Sequence, residues 1–360
     1  MWPNRELLDL LGIEVPIVQA PMAGAGGSAM AAAASEAGGL GSLPCAMLDA
    51  DQARAEVDVI RESTSNPINV NFFCHTPARP DADREAAWKN HLAAYYTELG
   101  LDAPASTPGV ARAPFDETTC EIVEELEPEV VSFHFGLPGR SLLDRVKAAG
   151  CRVLSSATTV EEARWLEDRG CDAVIAQGYE AGGHRGMFLT DDIWAQVGTL
   201  ALVPQVVDAV AVPVIAAGGI ADGRGIAAAF ALGAAGVQIG TAYLFTPESL
   251  IGPLHRAALH SAREDQTALT NVFSGRPARS LVNRIVREVG PMSDVAPAFP
   301  TAGGALAPLK EKAESAGAAD FSSLWSGQAA GLGVEIGAGD LTRQLAGDAA
   351  RRLSSLASPG

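Results

Sequence analysis

The run Gln177-Gly178-Tyr179-Glu180-Ala181-Gly182-Gly183-His184-Arg185-Gly186 sets one imidazole among four glycines. Imidazole is the side chain best suited to moving a proton near neutral pH. Glycine lets the backbone approach a ligand closely or take positive φ. The apolar residues Ala173-Val174-Ile175-Ala176 lead into this run and suit a strand buried on both faces. A strand ending in a glycine-lined loop with a histidine looks like the active-site end of an α/β enzyme. The same string would also suit a surface turn carrying a solvated histidine.

Other polar and glycine-rich residues close apolar runs elsewhere. They include Ala20-Pro21-Met22, Asn69 and Asn71, His134, Ala217-Gly218-Gly219-Ile220 and Gln238-Ile239-Gly240-Thr241. Asn69 and Asn71 are two apart and share one strand face, with Asn71 nearer the open end. An amide there offers a heterocycle both donor and acceptor, or forms a cross-strand polar pair. The loops holding Gly218-Gly219 and Gly240-Thr241 would be the seventh and eighth strand ends, where backbone N–H groups commonly receive a phosphate. Arg224 is the one cation nearby in sequence. His134 could line a pocket or be a satisfied core histidine. His75, His91, His255 and His260 read as structural. No HxH, HExxH or Cys/His cluster points to a metal, and no GxSxG elbow to a serine nucleophile.

These residues need a scaffold that gathers strand ends. Strands are expected at 15–22, 40–45, 68–73, 130–136, 152–157, 173–178, 212–220 and 236–244. Helix, glycine stop and strand recur at Gly38, Gly150, Gly170 and Gly233, each where a helix C-cap wants positive φ. Ser28, Thr159 and Asp222 are expected N-caps, with Thr159 and Glu162 forming a capping box. Eight βα units over roughly 250 residues give a (β/α)8 TIM barrel. A doubly wound sheet is second, weakened by the missing GxGxxG after the first strand.

A Pro-rich excursion through Pro77, Pro80, Pro104, Pro108 and Pro114 interrupts the rhythm after the third strand. Trp88, Leu92, Tyr95, Tyr96 and Leu99 fall at helical spacing within it. The barrel is therefore assigned to 1–75 and 115–268. The insertion 76–114 and the segment 269–360, with helices near 305–316 and 340–356, are assigned to a smaller appended substrate or lid domain.

The totals limit the partners. Of 360 residues, 26 are Lys or Arg and 43 Asp or Glu, for a net charge of −17. Nucleic acid and anionic membrane surfaces need a basic face, which is missing. The chain is 48% hydrophobic and can bury a large core. Its five cysteines form no CxxC pair and read as free thiols. With no signal peptide or spanning segment in view, a cytoplasmic monomer or homodimer is expected.

On these residues the chain closely resembles the nitronate monooxygenases, formerly called 2-nitropropane dioxygenases. The resemblance rests on Gln19-Ala20-Pro21-Met22, Asn69-Val70-Asn71, Ser132-Phe133-His134-Phe135-Gly136, the 177–186 run, and the Gly218 and Gly240 loops. It continues in Phe273-Ser274-Gly275-Arg276-Pro277-Ala278-Arg279 and Asp320-Phe321-Ser322-Ser323-Leu324-Trp325. It implies an FMN enzyme that oxidises alkyl nitronates, such as propionate 3-nitronate, with O2 to a carbonyl compound and nitrite, without a reduced nicotinamide. By resemblance His184 is the catalytic base and His134 a pocket residue. The FMN ligands would be Ala20, Pro21, Met22, Asn69, Asn71, Gln177, Gly182, Gly183, Ala217, Gly218, Gly219, Gln238, Ile239, Gly240 and Thr241. Flavin-dependent enoyl-acyl-carrier-protein reductases share the QAPM start and the EAGGH loop, so they and NAD(P)H:quinone reductases compete as readings. So does a non-catalytic flavin- or phosphate-binding protein.

Overall fold

The computed structural model describes residues 2–79, 81–102 and 113–357. Pro80, Pro104 and Pro108 of the predicted excursion lie outside the described residues. The strands are, in chain order, β1 (Ile17–Gln19), β2 (Gly41–Pro44), β3 (Ile68–Phe73), β4 (Val130–His134), β5 (Arg152–Ala157), β6 (Ala173–Gln177), β7 (Gly183–His184), β8 (Val214–Ala217), β9 (Gly236–Ile239), β10 (Thr267–Thr270) and β11 (Ala278–Leu281). Eight of them form one parallel sheet in the order β1-β9-β8-β6-β5-β4-β3-β2. A parallel bridge from Val18 to Leu40 closes it. Leu40 N–H donates to Ile17 O, and Gln19 N–H to Leu40 O, both at 2.9 Å. The molecule is a (β/α)8 barrel.

The expected third and fifth strands match β3 and β5 to the residue. The first, seventh and eighth are shorter than expected. The eighth ends at Ile239, and Thr241–Phe245 turns into a 3-10 helix instead. An apolar run outlasts its ladder because the residues past a barrel's rim are still buried beneath loops. Gly38, Gly150, Gly170 and Gly233 all take positive φ, between 86° and 91°.

Two caps differ from expectation. Ser28 does not cap its helix: Gly27 holds that position, and Ser28 N–H donates to Glu56 Oε2 at 3.0 Å. Thr159 does accept from Glu162 N–H. The Glu162 carboxylate, however, turns to Thr158 N–H and Oγ1 at 2.7 and 2.8 Å, and to Phe188 N–H at 2.6 Å. A buried carboxylate takes the donors nearest to it, and here these come partly from the loop after β6. Asp222 caps its helix as expected.

The barrel interior is layered. Helix Glu6–Leu11, which the sequence pattern did not announce, inserts Leu7, Leu8 and Leu11 beneath Val18, Leu40, Val130, Leu154, Ile175 and Ile215. Gly236 is required there, since a Cβ would sit 2.4 Å from Leu7 Cδ2. This apolar plug seals one end. Above it the inward side chains turn polar: Asn69 Nδ2 bonds Ser42 Oγ at 2.9 Å, and Asn71 Nδ2 bonds Ser132 Oγ at 2.9 Å.

Helix Ala82–Glu98 of the insertion buries Trp88, Leu92 and Tyr96 against Phe273, Ile285, Leu306, Leu309 and Phe321. Trp88 Nε1 donates to Ala302 O at 3.0 Å. The last helix, Ala338–Ala357, goes elsewhere than the sequence assignment placed it. Its residues Ala338, Leu341, Leu345 and Ala349 are part of the main barrel core. Truncating a buried leucine costs about 2–5 kcal/mol. Leu341→Ala is expected to lower the unfolding free energy by that amount in a denaturant titration. A change within about 0.5 kcal/mol would mean that this helix is a dispensable tail.

Candidate active site

A cavity of about 780 Å³ opens where the barrel strands end. Of the residues expected at a site, Ala20, Pro21, Met22, Asn71, His134, Gln177, Gly182, Gly183, His184, Ala217, Gly218, Gly219, Gln238, Gly240 and Thr241 line it. Asn69 and Ile239 are not among the lining residues. Asn69 is fully buried one layer below Asn71, against Ser42. Ile239 points outward into the apolar core, as strand alternation demands of the residue after Gln238.

His184 stands on the cavity wall in the two-residue strand β7, which pairs antiparallel with β11, Ala278 opposite His184. Its ring packs near Phe299 and Trp325, with centroids 5.4 and 5.3 Å away. Its Nε2 lies 2.9 Å from Ser274 Oγ. Its carbonyl accepts from Gln177 Nε2 at 2.9 Å and from His134 Nε2 at 3.2 Å. Gln177 Oε1 meanwhile accepts Gly186 N–H at 2.7 Å. The amide of Gln177 therefore spans the base of the loop that carries His184.

His134 lines the cavity rather than serving only the core. With Nε2 facing a carbonyl, that nitrogen must carry the hydrogen, and Nδ1 accepts from Ser156 Oγ at 2.6 Å. Burial, reinforced by the Arg276 charge, pushes His134 down to about 3. It stays neutral at any working pH.

Three arginines secure the loop from behind. Arg185, fully buried, donates to Gly178 O at 2.6 Å, Gln177 O at 2.7 Å and Gln196 Oε1 at 2.8 Å. Arg279 donates to Tyr179 O at 3.0 Å, and Arg276 to Met187 O. Burial pushes Arg185 down to about 9, still protonated at neutral pH. Gly178 and Gly182 are glycines for packing reasons. A Cβ on Gly178 would meet Thr199 Oγ1 at 1.9 Å, and one on Gly182 would meet Gly327 N at 2.5 Å. The missing Gly182 side chain thus makes room for the C-terminal segment.

At the β8 and β9 ends, Gly218 and Gly219 both take positive φ, 113° and 70°. Arg224 turns to Asp222 instead of the cavity, Nε to Oδ2 2.7 Å. Gln238 Oε1 is buried with no hydrogen-bond partner among the described residues. Cys45 is buried, which pushes its thiol up to about 12, so it is no nucleophile.

Sequence reasoning missed the far wall. Trp325, Lys310, Glu314 and the 250–255 segment line the cavity, and so does His255, whose Nε2–H donates to Trp325 O at 3.0 Å. These lie far along the chain from the barrel strands, and no local spacing marks them. The strings containing Ser274 and Trp325 were visible as motifs, but not as parts of one site.

A closed parallel barrel with a cavity and a histidine at its strand C-terminal ends defines an α/β-barrel enzyme. The nitronate monooxygenase family model matches residues 4–348, and the chain belongs to that family. It is 44% identical to a nitronate monooxygenase of Pseudomonas aeruginosa, over 93% of this chain and 96% of that one. It is 42% identical to one of Paraburkholderia phytofirmans, over 95% and 94%. Among solved structures, nitroalkane oxidase from Streptomyces ansochromogenes superposes with a TM-score of 0.88 at 40% identity, covering 98% and 100%. FabK from Thermotoga maritima superposes with 0.74 at 30% identity, covering 99% of each chain. Among the described residues no helix is long and apolar enough to cross a membrane, and no cluster suits a metal.

His134 gives a pH prediction. Its folded pKa is depressed, so between about 6.5 and 3 the unfolded chain binds a proton that the folded chain refuses. This contribution to stability is complete above about 6.5 and is lost as pH falls toward 3. His134→Gln should flatten the dependence of unfolding free energy on pH between 5 and 6.5. Equal slopes for the two proteins would count against a neutral His134.

Proposed function

We propose that this chain is an FMN-dependent enzyme that oxidises alkyl nitronates with O2 to a carbonyl compound and nitrite, with His184 as its base. The observation that carries this reading is His184 itself. It is an imidazole on the cavity wall, held by backbone pairing to β11 and by the bonds to its carbonyl. Family membership supports nitronate oxidation.

The residues fit FMN. Gln238 Oε1 is a buried acceptor at the wall that calls for a donor. The glycine loops after β8 and β9 present backbone to a phosphate without needing a cation. Ala20 to Met22, Asn71, Gln177, Gly182, Gly183, the 217–219 loop and Gln238, Gly240 and Thr241 would hold the group. Asn69 and Ile239 would support it from the layers behind. FMN, when bound, supplies the electron transfer that links substrate oxidation to O2.

The protein's own work is acid–base and positioning. A C–H next to a nitro group is acidic because its anion delocalises onto oxygen. Neutral His184 removes that proton from a nitroalkane, and the imidazolium then holds the anionic nitronate. Phe73 and Trp325 on the cavity wall exclude water from the alkyl part. His134, neutral, donates its Nε2–H to the His184 carbonyl and adds no competing charge.

Positioned proton transfer contributes about 10²–10⁴-fold. His184→Gln is expected to lower kcat/KM for nitroalkane oxidation by about that factor, while the purified protein keeps its yellow colour. Unchanged turnover by the variant would remove His184 as the base. An anaerobic mixing test separates the competing reductases: bleaching by a nitronate but not by NADH or NADPH is expected, and rapid bleaching by NAD(P)H would overturn the reading.

A further inference from the structure

The segment 273–279 enters the site twice, and the proposed reaction as stated gives the second of these contacts no role. Its backbone pairs with the histidine loop: Ala278 stands opposite His184, and Arg185 N–H donates to Pro277 O at 2.9 Å. Its side chain Ser274 reaches the imidazole, 2.9 Å from Oγ to Nε2. Ser274 is 3% exposed and does not line the cavity. Its contact is with the imidazole, not with the cavity.

The serine is itself rigidly placed. Gly275 N–H donates to Asn271 O at 2.7 Å, and Gly275 takes φ +88° where a Cβ would fall 2.1 Å from Pro297 O. Asn271 is clasped to Ser293, Nδ2 to O at 2.9 Å and N–H to Oδ1 at 2.8 Å. Ser274 Oγ has a second acceptor for its own hydrogen, Arg276 O at 3.3 Å. The oxygen is then able to accept from Nε2.

We propose that Ser274 is a positioning residue for His184: its oxygen accepts the Nε2–H, which fixes the ring and selects the neutral tautomer whose lone pair is on Nδ1. A neutral imidazole has one N–H and one lone pair. If Nε2 instead accepted from the serine hydroxyl, Nδ1 would carry the hydrogen and could not act as a base. With Nε2–H on Oγ, Nδ1 is the atom that takes the substrate proton. Once it has, Oγ remains the acceptor for the imidazolium's Nε2–H. This inference rests on His184 being the base, and its test has a part that does not.

The experiment compares wild type, Ser274→Ala and Ser274→Thr as holoenzymes. In ¹⁵N-histidine spectra the wild type is expected to show His184 as the Nε2–H tautomer, Ser274→Ala a mixture, and Ser274→Thr the wild-type pattern. In steady-state nitroalkane oxidation Ser274→Ala should lose about 10- to 100-fold in kcat, short of the roughly 10⁴-fold lost when a catalytic histidine is held wholly in the wrong tautomer, because a mixture leaves part of the enzyme competent. KM should change little, the acid limb of the kcat profile should move to lower pH, and Ser274→Thr should restore both. A Ser274→Ala enzyme with wild-type tautomer, kcat and pH profile overturns the proposal. So does a loss of kcat without any change of tautomer or pH profile, which marks a merely structural residue. If the spectra behave as expected while His184→Gln keeps full activity, the pairing stands and the assignment of His184 as base falls.

Discussion

The loop that leaves β6 turns its carbonyl oxygens away from the barrel ladder, and buried carbonyls must be satisfied. Arginines answer them from behind. Arg185 takes Gln177 O and Gly178 O, Arg279 takes Tyr179 O, and Arg276 takes Met187 O. On the other side Glu162 takes the N–H groups of Phe188 and Leu189, and Glu180 takes that of Thr199. Buried charges are costly unless paired or hydrogen-bonded. Here backbone dipoles supply the bonds, so each charge holds a stretch of chain in place. The position of His184 depends on this arrangement, because the loop's regular structure among the described residues is limited to the two-residue β7 and the 3-10 turn Ile193–Ala195.

The barrel supplies the rest by layering. Helix Glu6–Leu11 seals one end with leucines, so the other end is where a cavity can open. Between plug and cavity lie the amides and hydroxyls of Asn69, Ser42, Asn71 and Ser132, bonded to one another. Asn69 Oδ1 has no hydrogen-bond partner among the described residues, so this layer carries the cost of one unpaired buried acceptor. The end of that layer nearest the cavity is at Asn71 and Gln238, both of which line it. The segment after β9 completes the wall from outside the barrel, with Trp325 held by His255 and Gly327 N–H donating to Thr241 Oγ1 at 2.9 Å. The enclosed site is therefore a joint product of the barrel and the segment that follows it.

Membership of the nitronate monooxygenase family, and the likeness to a nitroalkane oxidase structure, support nitronate oxidation in general. Burial pushes the thiols of Cys45 and Cys171 up to about 12, far from the thiolate range. Neutral His134 and the engaged Arg224 leave Lys310 and Glu314 as the charged side chains among the described lining residues.

The barrel was legible because its signals are local. Apolar runs, N-caps such as Asp222 and the positive-φ glycines at 38, 150, 170 and 233 each act within a few residues, and eight such units admit few closed arrangements. The strand-end residues were legible for the same reason: in a barrel, position along a strand dictates which end a side chain occupies. Depth along the strand, which keeps Asn69 below the cavity, was not, whereas alternation by itself turns Ile239 away from the side of Gln238. Nor could spacing reveal that Glu162 would leave its own helix cap for Phe188, or that helix Ala338–Ala357 would join the barrel core. Sequence by itself determined that His184 stands in the loop that follows the sixth barrel strand. Only the tertiary structure decided what holds it there, because Ser274, Trp325 and the arginines reach it through contacts between segments far apart in the chain, and such contacts leave no periodic trace.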